Sequence, residues 1–441
     1  MIEALLAAII ESPEEDAPRL VYADWLQAQG DPRGELIQLQ CQLSAAPDDE
    51  RRRAIRIAEN KLLAAHGAAW LAPVREVLPE PDPVVGHKLE LVRGFVERAQ
   101  LTVDCVPAFA ALWERAPLLR ALRLSASVML ELPVKKPSLD RVFEAPQLAR
   151  LRELELMFGG AGNAGAKAVA RASHLSGLRS LQLSFSVWGE GAGIFERGEE
   201  DLALDDDGVR ELARSPHLAN LESLLLDSNR ITSTGVAEIA HGPWKLRRLE
   251  LGNNLLEPTT LARSLEGPAL ANLEVLGLGG TVIDATSIAA LVSSPALANL
   301  RELDLEKCHL GVAGIEALCK ALSLPALRSL RLERNALCDK GAFAMAECEA
   351  FSRLTNLEAG HNRMGQKAAV ALSTSPHLAN LERLTLSEPR WKPETTALFA
   401  ASPTLAKARI YLQGRLVGRK ATSKPPVDKP KAKKAPKPKQ A

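Results

Sequence analysis

The chain has 441 residues, of which 46% are hydrophobic and only 4% aromatic, so its core must consist of Leu, Ala, Val and Ile rather than large rings. Residues 415–441 carry ten Lys/Arg and one Asp, a net charge of +9, whereas residues 1–414 carry 45 basic and 53 acidic side chains, a net charge of −8. No apolar run approaches the roughly 18 residues of a membrane span, and the N-terminus lacks signal-peptide features, so we expect a cytoplasmic protein.

Residues 1–45 precede the regular part of the sequence and predict three short helices. The first covers 2–10, and the second covers about 14–28 and ends at Gly30 as its C-cap. The third begins near Arg33. We therefore expect a small all-α N-terminal domain.

The stretch "RLVYADWLQAQGDPRGELIQLQ" within this domain resembles the repeat-companion domain at the N-terminus of many bacterial, notably myxobacterial-type, repeat proteins. The matching residues are Tyr22, Asp24, Trp25, Leu26, Gly30, Asp31, Arg33, Gly34 and Glu35. The resemblance implies an interaction protein but no mechanism. Asp24 and Glu35 beside Arg33 could do acid–base chemistry. We favour a salt-bridge network that holds the helices around a buried Trp.

Residues 46–93 form the next segment, which we expect to be a helical connector. The highly charged stretch at 47–79 predicts a long helix and a link that pack the N-terminal domain onto the repeats.

A Leu-x-Leu pattern then recurs along the chain. The second position of this pattern falls at Leu124, Leu156, Leu183, Leu226, Leu251, Leu278, Leu305, Leu332, Ala359, Leu386 and Leu412. From Leu226 onward the steps are 25, 27, 27, 27, 27, 27 and 26 residues. So regular a period indicates stacked copies of one supersecondary unit.

Each unit has two halves. The alternating Leu residues predict a short strand with one face buried. A turn follows that contains Asn229, Asn254, Asn335 or Asn362, with Cys308 and Pro389 at the same place in other units. The second half has apolar residues at three- and four-residue spacing, as in 233–242, 311–322 and 339–348, which predicts a helix.

These features resemble leucine-rich repeats of the ribonuclease-inhibitor-like kind. The resemblance implies an α/β fold: a leucine-rich-repeat solenoid with a curved parallel sheet inside and helices outside, next to the small all-α N-terminal domain. We assign residues 94–412 to one continuous solenoid, in which 94–116 form a degenerate first unit that caps the array.

An insertion interrupts the period near 185–201, because the step from Leu183 to Leu226 is 43 residues. It contains Phe185, Trp188 and Phe195 in a protein with few aromatic residues. These rings predict either a recognition site on a rigid scaffold or simple packing of the loop onto the solenoid. The "DDDG" at 205–208 could suggest calcium, but a helix N-cap is the better interpretation.

The residue between the two Leu of each unit, and the residue after them, should face the concave side of the solenoid. Seven acids occupy these positions: Glu155, Asp227, Glu250, Asp304, Glu306, Glu333 and Glu358. With two arginines among them, they would form an acidic stripe about 40 Å long that favours a basic partner. A solvated face without a ligand is the alternative.

Residues 413–441, which end in "SKPPVDKPKAKKAPKPKQA", form a Lys/Pro-rich segment that we expect to be a disordered tail. It would bind nucleic acid weakly through its charge, contact the acidic concave face, or serve only solubility.

The sequence has no Walker loop, HExxH, GxSxG or kinase signature. Its six cysteines form no CxxC pair, which indicates buried, reduced thiols rather than a zinc site. We therefore expect a monomeric, non-enzymatic scaffold without a cofactor that binds a protein partner through the acidic face and the insertion. The alternative is a nucleic-acid-associated scaffold anchored by the tail.

Overall fold

A computed structural model provides the fold. It describes residues 2–45, 49–81, 86–125, 142–157, 162–184, 203–389 and 391–417. The predicted insertion at 185–201 and most of the predicted tail lie outside these residues.

The N-terminal helices are α1 Ile2–Glu11, α2 Asp16–Ala28, α3 Arg33–Ala45 and α4 Asp49–Arg75. The C-cap predicted for α2 agrees with the backbone, because Gly30 has a φ of 76°. The helices bury a separate cluster that includes Tyr22, Leu26 and Ile37, and Phe95 from the first repeat unit completes it. Because Phe95 packs among the N-terminal helices, these helices cover one end of the repeats.

The repeats form one sheet of fourteen strands in chain order among the described residues. The strands are β1 Lys88–Val92, β2 Phe95–Thr102, β3 Ala121–Ser125, β4 Glu153–Met157, β5 Ser180–Gln182, β6 Ser223–Leu225, β7 Arg248–Glu250, β8 Val275–Gly277, β9 Glu302–Asp304, β10 Ser329–Arg331, β11 Asn356–Glu358, β12 Arg383–Leu386, β13 Arg409–Leu412 and β14 Arg415–Val417. Strands β2 to β13 are parallel. The alternation of strands with helices on one side makes the fold an α/β solenoid.

An antiparallel hairpin closes each end of the sheet. The turns Arg93–Gly94 and Gln413–Gly414 both have two positive φ angles, as type I′ hairpins require. These hairpins correct two predicted boundaries. Strand β1 lies within the segment 46–93 that was expected to be helical, and β14 lies within the expected tail at 413–441. Each outer strand satisfies backbone groups that the end of a parallel array would leave unpaired.

Further α-helices of the described residues lie between successive strands. They are α5 Phe109–Arg115, α6 Gly162–Arg171, α7 Asp206–Ala213, α8 Ser233–Ala240, α9 Pro258–Ser264, α10 Ala285–Val292, α11 Gly311–Ala321, α12 Cys338–Glu347, α13 Gln366–Thr374 and α14 Pro393–Ala400. The predicted N-cap is confirmed, because the Asp205 side chain accepts hydrogen bonds from the backbone N–H groups of Asp207 and Gly208.

Buried asparagines connect the units where the strands end. Asn335 donates from its side-chain amide to the Leu305 carbonyl at 2.7 Å, and its own backbone N–H donates to the Asn362 side chain at 2.7 Å. Cys308 replaces Asn as predicted and donates to the Leu278 carbonyl. In the unit where Pro389 stands at this position, the buried carboxylate of the preceding Glu388 accepts from the Asn362 backbone N–H and continues the series.

The sheet and its core continue across the insertion. Strand β5 pairs directly with β6, with Leu181 opposite Leu224. Both side chains belong to one hydrophobic cluster that runs from Leu71 to Leu412. The described solenoid is therefore continuous from β5 to β6.

Candidate partner-binding face

One side of the sheet is covered by the α-helices, and we call the other side the open face. The strand register aligns its side chains in columns across the parallel strands. The middle column reads Gln100, Arg123, Glu155, Gln182, Leu225, Glu250, Gly277, Asp304, Arg331, Glu358, Thr385 and Tyr411. The seven predicted acids lie in this column or two residues further along their strands. The structure thus places all seven on one face.

A third column of the open face, two residues before the middle one, was missed in the sequence analysis. Its charged members are Arg98, Glu153, Arg248, Glu302, Arg383 and Arg409. The three columns together hold six arginines and nine carboxylates, a net charge of −3. The strand alternation could have revealed this column, because residues at i, i+2 and i+4 share a face. The expected stripe of seven acids with two arginines is therefore less acidic than predicted.

Four of the predicted acids converge on Arg331 at the end of β10. The Arg331 guanidinium lies 2.7 Å from Asp304, 3.2 Å from Glu306, 3.3 Å from Glu358 and 3.9 Å from Glu333. Burial opposes the positive charge, yet these carboxylates hold the pKa of Arg331 above its usual value. We call these five residues the Arg331 cluster. Its carboxylates are partly neutralised from within the protein.

The Arg331 cluster has further cations at its rim. Arg334 contacts Glu306 at 2.8 Å, and Lys307 approaches the same carboxylate at 3.7 Å. Arg383 lies 4.0 Å from Glu358. Such contacts reduce the field that these acids project towards a partner.

The next part of the open face has carboxylates with fewer cations. Asp227, Glu250 and Asp304 lie around Gly252, Gly277 and Gly279, and we call this group the acidic trough. Asp304 belongs to both groups, because it also pairs with Arg331 at 2.7 Å. The Glu250 carboxylate lies over Gly277, since a Cβ there would come within 1.5 Å of Glu250 Oε2. The glycines leave a backbone floor where other units carry side chains.

Hydrogen bonds and burial define the electrostatics of the acidic trough. Asp227 accepts a hydrogen bond from the Gly252 N–H at 2.9 Å, and Arg248 contacts Glu250 at 2.6 Å. Burial raises the pKa of Glu250 to about 7; Arg248 opposes this shift, and the neighbouring Asp227 and Asp304 add to it. Burial is also the main reason that the pKa values of Asp227 and Asp304 are raised. The surroundings of the trough therefore disfavour the ionised form of all three carboxylates.

The seventh predicted acid, Glu155, lies apart from both groups. It pairs with Arg123 at 2.6 Å, and Arg98 pairs with Glu153 at 3.2 Å beside it. This end of the open face is therefore a surface of paired charges. Phe185, Trp188 and Phe195 lie outside the described residues.

The structure does not bring Asp24, Arg33 and Glu35 together. The Asp24 carboxylate accepts a hydrogen bond from Gln38, and Glu35 is exposed. Arg33 donates to the Gly94 carbonyl at 2.8 Å, and its guanidinium lies over the Phe95 ring at 5.1 Å. The predicted salt-bridge network of these three residues was wrong, because Arg33 faces the first repeat unit instead.

A different ion cluster joins the N-terminal helices to the sheet. Glu97 of β2 is buried and lies 2.8 Å from Arg19 and 3.4 Å from both Arg93 and Arg120. Arg120 also pairs with Glu14 before α2. Removing one partner from such a group would leave a buried charge, so these contacts hold the two parts together. The sequence had no signal for this cluster, because its members are up to 106 residues apart.

Within the described residues, no group of three or more His, Cys, Asp or Glu side chains is arranged to hold a metal ion. No helix in that part of the chain combines the length and the apolar character needed to cross a membrane. All six cysteines are free thiols, but Cys319 and Cys338 are only half-buried, contrary to the expectation that all are buried.

Two segments of the chain, residues 217–240 and 296–319, match the sequence profile of the family described as leucine rich repeat. A search of curated protein sequences finds no match. Among solved structures, the chain is similar to one in the crystal structure of the Rad7 and Elc1 complex in yeast, with 20% sequence identity and a TM-score of 0.48. That alignment covers 72% of this chain and 74% of the other. The repeated units of the solenoid are thus similar to leucine-rich repeats at two places in the sequence.

Proposed function

We propose that this protein is a non-enzymatic interaction scaffold whose open face binds a basic segment of a protein partner. The observation that supports this proposal is the acidic trough. Asp227, Glu250 and Asp304 surround a floor of glycines, where Arg248 contacts Glu250 and Arg331 contacts Asp304. A Lys or Arg side chain of a partner would supply the missing positive charge.

The physical basis is electrostatic complementarity. Carboxylates whose pKa values are raised by burial gain stability when a cation approaches, because the cation favours their ionised form. The glycine floor lets the Asp227 and Glu250 carboxylates lie close to the backbone, which keeps them together on the open face. A negative surface also speeds the encounter with a basic partner, and salt weakens this effect.

We propose the insertion as a second contact for the same partner. The described chain leaves the sheet at Ser184 after β5, and β5 pairs with β6, which leads to Asp227 of the acidic trough. The aromatic residues Phe185, Trp188 and Phe195 would then supply apolar contact area next to the charged one.

The test uses a basic peptide with the sequence of residues 415–441 as a fluorescent probe, followed by anisotropy. The variant combines Asp227→Asn, Glu250→Gln and Asp304→Asn. The control, Glu211→Gln, Glu316→Gln and Glu347→Gln, removes the same charge from exposed helix positions. We expect the trough variant to bind about tenfold more weakly, since each lost exposed contact is worth about 0.5 kcal/mol.

The control variant should bind within about twofold of the wild type at the same salt concentration. Measurements in parallel on a chain that ends after Val417 remove competition from the protein's own basic segment. Equal weakening in the two variants would mean that net charge alone attracts the probe, and the acidic trough would lose its role.

The alternative function, a nucleic-acid-associated scaffold, is supported by the net charge of +9 that ten Lys/Arg and one Asp give residues 415–441. It predicts salt-dependent binding of random-sequence duplex DNA that is lost when 418–441 are deleted. The trough variant should leave DNA binding unchanged. DNA binding that survives the deletion would contradict this alternative.

A further inference from the structure

Two cysteines from neighbouring units meet on the helical side of the solenoid. Cys319 lies in the last turn of α11, and Cys348 follows α12 directly. The Cys348 Sγ donates to the Cys319 carbonyl oxygen at 3.9 Å, and each thiol shifts the pKa of the other. This contact brings the two cysteines together, as a disulfide between them requires.

The other four cysteines have different neighbours. Cys105 Sγ lies 3.2 Å from His87 Nε2, and Cys308 donates to the Leu278 carbonyl. Cys338 donates to the Ala336 carbonyl at 3.5 Å, and Cys41 lies near Asp16. These contacts give no thiol partner of the kind that Cys319 and Cys348 offer each other.

Small molecules in solvent can reach the pair. Both cysteines line an open depression of about 660 Å³, together with Lys320, Glu347, Glu349 and Arg353. Cys319 is half-buried, whereas Cys348 is 4% exposed. An oxidant the size of hydrogen peroxide therefore fits the depression that both cysteines line.

The interaction between the two thiols shifts their pKa values in opposite directions. The hydrogen bond from Cys319 lowers the pKa of Cys348 against the effect of burial, and it raises the pKa of Cys319. A thiolate is the reactive form of cysteine, so Cys348 is the better nucleophile of the two.

We propose that Cys319 and Cys348 form a peroxide-sensitive dithiol that closes to a disulfide between α11 and the end of α12. The Cys348 thiolate attacks one oxygen of hydrogen peroxide, the O–O bond breaks, and the leaving hydroxide takes a proton to become water. Cys319 then attacks the sulfur of the Cys348 sulfenic acid and releases a second water. Two thiols are oxidised to one disulfide, and one peroxide is reduced to two waters.

This bond would enclose a defined part of the solenoid. Residues 320–347 lie between the two cysteines and include β10 with Arg331. The disulfide would tie this unit to its neighbour and restrict its unfolding. The inference concerns the helical side and does not depend on the proposed binding of a basic partner.

The test treats the reduced full-length protein with hydrogen peroxide, blocks the remaining thiols with iodoacetamide and maps disulfides by mass spectrometry after trypsin. We expect a cross-link between the peptides 308–320 and 341–353. Because the first peptide also contains Cys308, the Cys308→Ser variant must keep the cross-link. Cys319→Ser and Cys348→Ser must each lose it, and Cys338→Ser must not affect it.

The oxidised protein should also unfold at a higher urea concentration than the reduced protein, and dithiothreitol should reverse the shift. If either single variant fails to fold by circular dichroism, Cys319→Ala or Cys348→Ala replaces it. Alkylation of both Cys319 and Cys348 after peroxide treatment would overturn the proposal. A cross-link that persists in Cys319→Ser would do the same.

Discussion

The Arg331 cluster and the acidic trough are neighbours on the open face, but they differ in how much positive charge lies close to their carboxylates. Arg331 reaches four carboxylates within 3.9 Å, so the cluster carries its own counter-charge. In the trough, Arg248 contacts Glu250, Asp227 relies on a backbone N–H group, and Asp304 shares Arg331 with the cluster. Acids on the same face therefore differ in how strongly a partner's cation would stabilise them. A cation from a partner stabilises a carboxylate most where the protein itself provides the least positive charge.

The largest effect that separates the two regions should come from Arg331→Met. Without the guanidinium, Asp304, Glu306 and Glu358 would face one another at short range. We expect the free energy of unfolding to fall by about 2 kcal/mol at pH 8, allowing for partial solvent screening. The carboxylates would protonate more readily, so the deficit should shrink as the pH falls towards 4. Urea denaturation at several pH values measures both effects.

Arg248→Met is the matched control in the acidic trough. Arg248 is 46% exposed and contacts the Glu250 carboxylate at 2.6 Å, so its loss should cost less than about 1 kcal/mol. If both Arg→Met variants lose the same free energy of unfolding, the two regions do not differ in how strongly their carboxylates depend on an arginine.

A smaller effect of opposite sign should follow from Glu250→Gln. The folded pKa of Glu250 is raised to about 7, so the folded protein binds this proton more tightly than the unfolded chain does. Stability from this group is therefore present at low pH and is lost as the pH rises towards 7. We expect Glu250→Gln to stabilise the fold by about 1 kcal/mol at pH 8, with no gain near pH 4.

Glu306→Gln is the control for the direction of this change in the free energy of unfolding. Glu306 loses contacts with Arg331 and Arg334, so this variant should be destabilised at pH 8. Thermal melts of both variants at pH 4 and pH 8 give the comparison. A stabilised Glu306→Gln, or a destabilised Glu250→Gln at pH 8, would contradict the assignment of counter-charge.

The smallest effect concerns the pH dependence of binding. The basic 415–441 probe should bind about threefold more tightly at pH 8 than at pH 6, because Glu250 ionises in this interval. Glu250→Gln should remove most of the dependence. Anisotropy titrations at constant ionic strength measure it. If the pH dependence of binding is unchanged in Glu250→Gln, another group, such as a histidine, is responsible for it.

The sequence predicted the repeating part of the fold well, for a physical reason. Each unit is stabilised by neighbours of the same kind, so the positions of Leu and Asn determine strand register across the whole array. Leu303 opposite Leu330, and Asn335 bonded to Asn362, follow directly from the 27-residue step. The two end hairpins were not predicted, because they break the period and depend on the unpaired edges of a sheet that is already formed.

The candidate site was predicted only in part. Residue spacing placed Glu250 and Asp304 on one face, but it could not show that Arg331 gathers four carboxylates while Glu250 lies over Gly277. Long side chains reach into neighbouring units, and their partners depend on conformations that a linear pattern does not record. Glu97 and the contact of Cys319 with Cys348 were missed for the same reason.

The sequence by itself determined the period, the buried ladder, the face of each alternating residue and the helix starts such as Asp205, because these depend on local geometry and nearest-neighbour packing. Tertiary structure alone decided which charges are neutralised, how Arg33 and Glu97 join the N-terminal helices to the sheet, and which thiols meet. Those outcomes require side chains from distant parts of the chain within a few ångströms, and their energies depend on burial that only the folded protein establishes.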